Sequence, residues 1–265
     1  MTKSISESNT NLNSQTSLQA ISQAIEKLRA FSEMDVRENW RCFSGDMSVA
    51  EVFASDFSNW ETRKLNAKGH VAWEKGKKVL WLAQKLVIPQ DLQGYPLAGL
   101  CLRLALVWWA DSAQIYINGS LVGQGDLFDF SQRVLLTESV NPGDEFTVAL
   151  RLVSPGHDNG ALVGSKCVYE TFGNQENKKN QENNLYPGFV ASELAIVQRY
   201  CQAFAPDELD VVADLVKEVV EEINRRVAED AEEEKRREKY IFINKSLANL
   251  QNNLQSKIYN NNIPR

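Results

Sequence analysis

Leu100-Cys101-Leu102-Arg103-Leu104-Ala105-Leu106-Val107-Trp108-Trp109 decides the fold of this chain. Successive side chains of an extended strand point to opposite faces. Leu100, Leu102, Leu104, Leu106 and Trp108 therefore form one row, and Cys101, Arg103, Ala105, Val107 and Trp109 the other. Both rows are largely apolar, which predicts a central strand covered on both sides. Period two begins upstream, at Val79. It continues downstream, where Ala113, Ile115 and Ile117 alternate with Gln114, Tyr116 and Asn118. Asn118-Gly119 supplies two residues that tolerate positive φ, the chemistry of a tight hairpin turn before Leu121-Val122. Val134 and Leu136 open another strand, Pro142-Gly143-Asp144 reads as a turn, and Phe146, Val148, Leu150 and Leu152 alternate until Pro155-Gly156. Ala161 to Tyr169 is the last strand. Short strands separated by turn chemistry, with no helices between them, predict an antiparallel β-sandwich or jelly roll over roughly residues 40–170.

Outward from this core the patterns are helical. Leu18, Ile21, Ile25, Leu28 and Phe31 recur at helical spacing behind a capping box at Thr16 and Gln19. Trp40, Trp60 and Trp73 punctuate the aperiodic stretch before Lys78 and predict short strands pinned by aromatic burial. Past Pro187, Val190, Leu194, Val197 and Cys201 make one stripe, and Val212, Val216, Val219, Ile223 and Val227 a second. Leu247, Leu250, Leu254 and Ile258 make a last one. The charged run from Glu229 to Glu238 mixes both signs and reads as a solvated helix face. The expected organisation is a disordered polar leader over 1–16, an N-terminal helix plus sandwich over 17–170, a flexible Asn/Gln/Glu/Lys-rich linker over 171–186 and a helical segment over 187–265.

The 265 residues are 43% hydrophobic and carry 6 Trp, 7 Tyr and 11 Phe, enough to fill a core, so a disordered or collagen-like chain is excluded. A net charge of -6 argues against a nucleic-acid partner. No apolar run approaches the length needed to span a bilayer, and no secretory signal precedes the first helix, so the expected location is cytoplasmic, with no membrane partner. Cys42, Cys101, Cys167 and Cys201 are far apart and form no C-x-x-C pair, which suits reduced, buried thiols.

Candidate chemistry is sparse. His70 and His157 belong to no metal-binding pattern. His157-Asp158 could pair an imidazole with a carboxylate, but neighbouring turn residues commonly diverge, and a structured turn is the plainer reading. Trp109 offers a sugar-stacking platform, with core burial the commoner fate of tryptophan. Asp126, Asp129 and Asp158 are candidate carboxylates whose spacing fixes no catalytic separation. Gly123-Gln124-Gly125-Asp126 precedes no predicted helix and reads as a bend rather than a phosphate loop. The candidate carbohydrate-binding set is Trp109, Asp126, His157 and Asp158, with no catalytic residue and no metal ligand.

Several ordered blocks carry a resemblance. They are Gly69-His70-Val71-Ala72-Trp73, Leu80-Trp81-Leu82-Ala83, Gly94-Tyr95-Pro96-Leu97-Ala98-Gly99-Leu100, Trp108-Trp109-Ala110-Asp111, Ile115-Tyr116-Ile117-Asn118-Gly119, Gly125-Asp126-Leu127-Phe128-Asp129, Ser154 to Leu162, and Pro187-Gly188-Phe189-Val190-Ala191. Together, over about residues 20–210, they resemble the N-terminal region of bacterial α-mannosidases of glycoside hydrolase family 38, especially cyanobacterial members. The resemblance implies a galactose-binding-like sandwich with flanking helices, ahead of a catalytic domain that hydrolyses α-mannosides with retention, using zinc held by His and Asp. The family's His-x-His signature should follow a helix such as Leu247 to Ile258, where this sequence has Tyr259-Asn260-Asn261-Asn262. No nucleophile, acid/base or zinc ligand carries over, so the resemblance implies a non-catalytic portion, inactive alone. It implies no cofactor in this chain and, as partners, the missing catalytic domain or a separately encoded catalytic half, with glycan binding and oligomer contacts as further roles. A carbohydrate-binding or interaction module standing alone is the alternative expectation.

Overall fold

The computed structural model describes residues 3–171, 186–228 and 233–260. In chain order it contains helix α1 (Lys3–Ala30), strands β1 (Glu33–Asp35) and β2 (Arg41–Ser44), helix α2 (Val49–Ala54), and strands β3 (Glu61–Thr62), β4 (Val71–Trp73) and β5 (Val79–Val87). A short pair follows, β6 (Asp91–Leu92) and β7 (Tyr95–Pro96). Then come β8 (Cys101–Trp109), β9 (Ser112–Ile117), β10 (Ser120–Gly125), β11 (Ser131–Thr137), β12 (Glu145–Val153) and β13 (Gly160–Glu170). Helices α3 (Pro187–Phe204), α4 (Leu209–Ala228) and α5 (Glu233–Asn260) close the described chain. These elements divide into two compact units.

The first unit is the expected antiparallel β-sandwich. One sheet runs β1-β13-β8-β11, with β4 also on β13, and the other runs β10-β9-β12-β5-β2-β3. β8 is central, as its two apolar rows predicted. Leu102, Leu104, Leu106 and Trp108 are buried opposite Tyr169, Cys167, Ser165 and Leu162 of β13, which are buried as well. The second row departs from expectation: Arg103, Ala105 and Val107 are half-buried and Trp109 is exposed. Arg103 explains why this face stays open. Its guanidinium donates to Glu170 at 2.6 Å, Arg133 meets the other oxygen of that carboxylate at 2.7 Å, and sealing such charges in an apolar layer would be costly.

On the second sheet, α2 and the turn at Phe57–Asn59 lay Val52 and Phe57 on Trp81, Ala83, Tyr116 and Ala149. The capping box of α2 fixes this cover: Ser48 Oγ accepts from Glu51 N, while the Glu51 carboxylate accepts from Ser48 N at 2.8 Å. With that face occupied, the alternate row of Leu80, Leu82, Leu86, Leu150 and Leu152 turns toward the first sheet, and all five are buried. The hairpin between β9 and β10 turns on Asn118 and Gly119 at φ 49° and 87°, the pair of positive values its sequence required. Trp40 is buried, and its indole donates to the buried Ser165 hydroxyl at 3.1 Å, tying the aperiodic segment to β13.

The second unit is helical. Ile21, Ala24, Ile25 and Leu28 of α1 are buried, as are Val190, Leu194 and Val197 of α3, Val212 and Val216 of α4, and Leu247 and Leu250 of α5. α1 packs on both α3 and α4, and α4 packs on α5. Gln198 donates to Leu18 O at 3.1 Å and Ser22 Oγ at 2.8 Å, and Ser17 donates to Asp210 at 2.5 Å. Tyr95 of the β6–β7 pair meets Phe31 with ring centroids 6.3 Å apart.

The expected boundaries at 17–170 and 187–265 are therefore crossed. The first helix groups with the last helices because its apolar stripe finds theirs, a pairing invisible to sequence proximity. The leader expected over 1–16 is also corrected: α1 starts at Lys3, and no Gly or Pro interrupts the sequence before Thr16 to stop the helix there. Residues 172–185 of the expected linker and 229–232 of the charged run lie outside the described residues. Among the described residues, no helix is long and apolar enough to cross a membrane.

Ser165→Ala strands the buried Trp40 N–H without its acceptor. Urea denaturation followed by tryptophan fluorescence should show a loss of about 1–3 kcal/mol. A change below about 0.5 kcal/mol would mean the indole finds another acceptor.

Candidate functional site

β4 lies beside β13 at the edge of the first sheet, with Trp73 opposite Gly160, Ala72 opposite Ala161 and Val71 opposite Leu162. The approach at Gly160 is close. A Cβ there would sit 2.3 Å from two atoms of the Trp73 ring, so only glycine lets the indole lie against the strand. The turn from β4 to β5 is held from two sides: Asn159 Oδ1 accepts from Lys75 N at 3.1 Å, and Ser154 Oγ accepts from Lys78 N at 2.9 Å. The loop before β4 is organised by Asn66, whose side-chain oxygen accepts from Lys68 N at 2.9 Å and His70 N at 3.0 Å.

These contacts shape a cleft of about 510 Å³. Its wall includes Asn66, Lys68, His70, Trp109, Asp158 and Asn159. Trp109 is 38% exposed whereas the adjacent Trp108 is 2% exposed, so β8 gives one indole to the core and one to the cleft. A partly open indole beside amide, imidazole, amine and carboxylate groups can stack a flat apolar face while donors and acceptors meet hydroxyls around it.

The four candidate residues separate. Trp109 and Asp158 line this cleft. Asp126 does not. Its carboxylate accepts from Phe128 N at 2.7 Å and Asp129 N at 3.1 Å, and its carbonyl accepts from the Trp108 indole at 3.1 Å. The backbone N–H groups of Asp129 and Phe128 hold the Asp126 carboxyl below its ordinary range. That carboxylate serves a turn. His157 is exposed on the turn before β13 and lies outside the cleft wall, while its neighbour Asp158 lines it and accepts from Asn159 N at 2.7 Å. His70, Asn66 and Lys68 were missing from the sequence-derived set. Their signal was the turn spacing around Gly69, which marks a loop but cannot tell where the loop returns.

The thiols are unsuited to nucleophilic work. All four cysteines are buried and unpaired. Burial pushes the Cys42 thiol up to about 11 and the Cys167 thiol up to about 12. Among the described residues no three His, Cys, Asp or Glu side chains group as metal ligands, so the zinc implied by the family 38 resemblance has no donor set there.

No protein-family model matches the chain. No curated protein matches it either. Solved structures do. A glycosyl hydrolase family 2 member from Bacteroides cellulosilyticus matches with 16% identity and a TM-score of 0.40, over 53% of this chain and 21% of its own. A β-glucuronidase from Bacteroides uniformis matches with 20% identity and a TM-score of 0.33, over 58% and 16%. One from Faecalibacterium prausnitzii matches with 14% identity and a TM-score of 0.33, over 45% and 20%. The chain thus spans about a fifth or less of the proteins it matches. Likenesses this partial carry no functional argument.

They do correct the expected family. The structures named are a glycosyl hydrolase family 2 member and two β-glucuronidases rather than family 38 α-mannosidases, so the expectation of family 38 membership and of a front portion of an α-mannosidase is not kept. The quoted blocks misled for a physical reason. Asn118-Gly119 is a hairpin turn, Trp81 and Trp108 are buried, and Gly160 marks a close approach to Trp73. Blocks of this kind record what a β-sandwich needs at its turns and in its core.

Two outcomes test this geometry. Gly160→Ala should destabilise the protein by about 1–3 kcal/mol in urea melts, because the Trp73 ring has to move, and an unchanged midpoint would refute the close approach. Native protein at neutral pH should leave its thiols unmodified by a chromogenic disulfide reagent over minutes and release the signal of four thiols on unfolding. Rapid labelling without denaturant would contradict the burial.

Proposed function

We propose that the sandwich is a non-catalytic, saccharide-binding module whose ligand stacks on Trp109. The observation that carries this reading is the exposure of Trp109 inside a cleft edged by Asp158, Asn159, Asn66 and His70. An indole face takes the C–H face of a pyranose ring, and the surrounding amides and carboxylate take its hydroxyls. The rigid supports of the cleft favour binding, since Asn66 and Asn159 already hold their own loops and little is left to order.

Hydrolysis fits less well. It calls for two carboxyl groups flanking the glycosidic bond at a separation of about 5–9.5 Å. Among the described residues lining this cleft, Asp158 is the one carboxylate. We place the protein in the cytoplasm on the strength of its four unpaired thiols.

Titration calorimetry with a panel of neutral oligosaccharides tests the proposal. Heat should be released at millimolar ligand, and Trp109→Ala should weaken binding by about tenfold or more while the thermal midpoint stays close to that of the parent. Absence of heat across the panel, or binding indifferent to Trp109→Ala, would overturn it.

A further inference from the structure

Helix α3 carries two apolar rows. Val190, Leu194, Val197 and Cys201 are buried within the helical unit. Phe189, Ile196, Tyr200 and Phe204 make the second row, spaced by seven, four and four residues and so aligned along one face for about 22 Å. Little covers it. Phe189, Ile196 and Phe204 are 49%, 68% and 77% exposed and Tyr200 is half-buried. The Tyr200 and Phe204 rings lie with centroids 5.5 Å apart, so the row is continuous at its C-terminal end. Single exposed apolar residues are ordinary on a protein surface, but an aromatic row where a helix usually turns charge to water marks a contact face.

The charge beside this row is of one sign at one end. From Tyr200 to Val216 the sequence has no Lys or Arg and four carboxylates, Asp207, Glu208, Asp210 and Asp214. The next cation, Lys217, lies 3.9 Å from Glu221. Asp210 has local work: it stands in the first turn of α4, where a carboxylate suits the helix dipole, and it accepts from Ser17 at 2.5 Å. Asp207 and Glu208 sit in the short turn between α3 and α4, three and four residues beyond Phe204. The row therefore ends in an acidic turn.

That polarity selects among occupants. A lipid surface favours Lys and Arg flanking an apolar helix face, and here the flanking end is anionic. A second copy crossing α3 antiparallel would set Asp207 and Glu208 beside Phe189, where residues 186–192 bear no charge, and a parallel crossing would set carboxylate against carboxylate. A basic partner meets both features. From the row and its acidic end we infer that α3 docks an amphipathic helix of a partner protein, with an apolar side on Phe189, Ile196, Tyr200 and Phe204 and with Lys or Arg at the end that meets Asp207 and Glu208. The cations steer the encounter and fix the direction of the bound helix, while the aromatic row supplies the contact.

The test uses the full chain and three fluorescein-labelled helical peptides of about 18 residues, long enough to span the row. One has a leucine face with Lys and Arg at one end, the second has Glu in place of those cations, and the third keeps the cations but has Ser in place of leucine. Fluorescence anisotropy should show saturable micromolar binding of the first, about tenfold or more tighter than either control, with its lead over the Glu peptide shrinking as salt is raised. Ile196→Ser combined with Phe204→Ser should weaken binding about tenfold or more, and because both side chains are exposed the circular dichroism and thermal midpoint should match the parent. Asp207→Lys combined with Glu208→Lys should remove the preference for the basic peptide. The peptide comparison on the parent stands whether or not a variant folds: no saturable binding, or equal binding of the basic and Glu peptides, would overturn the inference. Binding indifferent to Ile196→Ser and Phe204→Ser in a folded variant would overturn it as well. So would a reversible dimer in sedimentation, or flotation with phosphatidylcholine vesicles, that the same two substitutions abolish, since the row would then belong to a second copy or to a membrane.

Discussion

Adjacent side chains on an extended strand cannot share a face, and this molecule uses that constraint at Trp108-Trp109. The inward indole is buried, with its N–H bonded to the Asp126 carbonyl at 3.1 Å, and so fixes where the chain after β10 turns. The outward indole is then obliged to stand on the opposite face, where it becomes the wall of a cleft. A one-residue slip of β8 would bury Trp109 and expose Trp108, and would also drag the charged Arg103 into the leucine core. Core and cleft are thus set by a single register, and the ion pairs from Arg103 and Arg133 to Glu170 hold it on the open face.

The rest of the cleft depends on short polar side chains acting as local braces. Asn66, Ser154 and Asn159 accept backbone N–H groups that the loops would otherwise leave unmet. Each brace positions a turn and costs little to keep in water. Asp126 is a brace of the same kind elsewhere, with one carboxylate oxygen accepting two backbone N–H groups, and it lies outside the cleft wall.

The sandwich was legible because its information is local. Alternation from Val79 to Tyr169, the Asn118-Gly119 turn and the Pro155-Gly156 stop appear in the structure as β5, β8 through β13 and the bends between them. The outer row of β8 read as covered because alternation counts apolar residues and does not weigh one Arg103 against four neighbours. The helices were recognisable by their stripes. Their grouping was not, since Leu28 and Leu194 are remote in sequence and nothing in either stripe names its partner. Of the candidate site, Trp109 and Asp158 could be proposed from residue type alone. His70, Lys68 and Asn66 could not, because β4 reaches β13 only through a long-range pairing at Trp73 and Gly160. The family resemblance failed at the same boundary: turn glycines and buried tryptophans repeat wherever a sandwich must bend and pack, and they do not report ancestry by themselves.

The central claim, that Trp108 serves the core while Trp109 serves the cleft, is tested most directly by the indole N–H resonances in a proton–nitrogen correlation spectrum. Saccharide titration should shift the Trp109 indole signal progressively while the Trp108 signal, held by the Asp126 carbonyl, stays in place. A shift at Trp108 with Trp109 unmoved, or no indole shift at saturating millimolar ligand, would contradict the account.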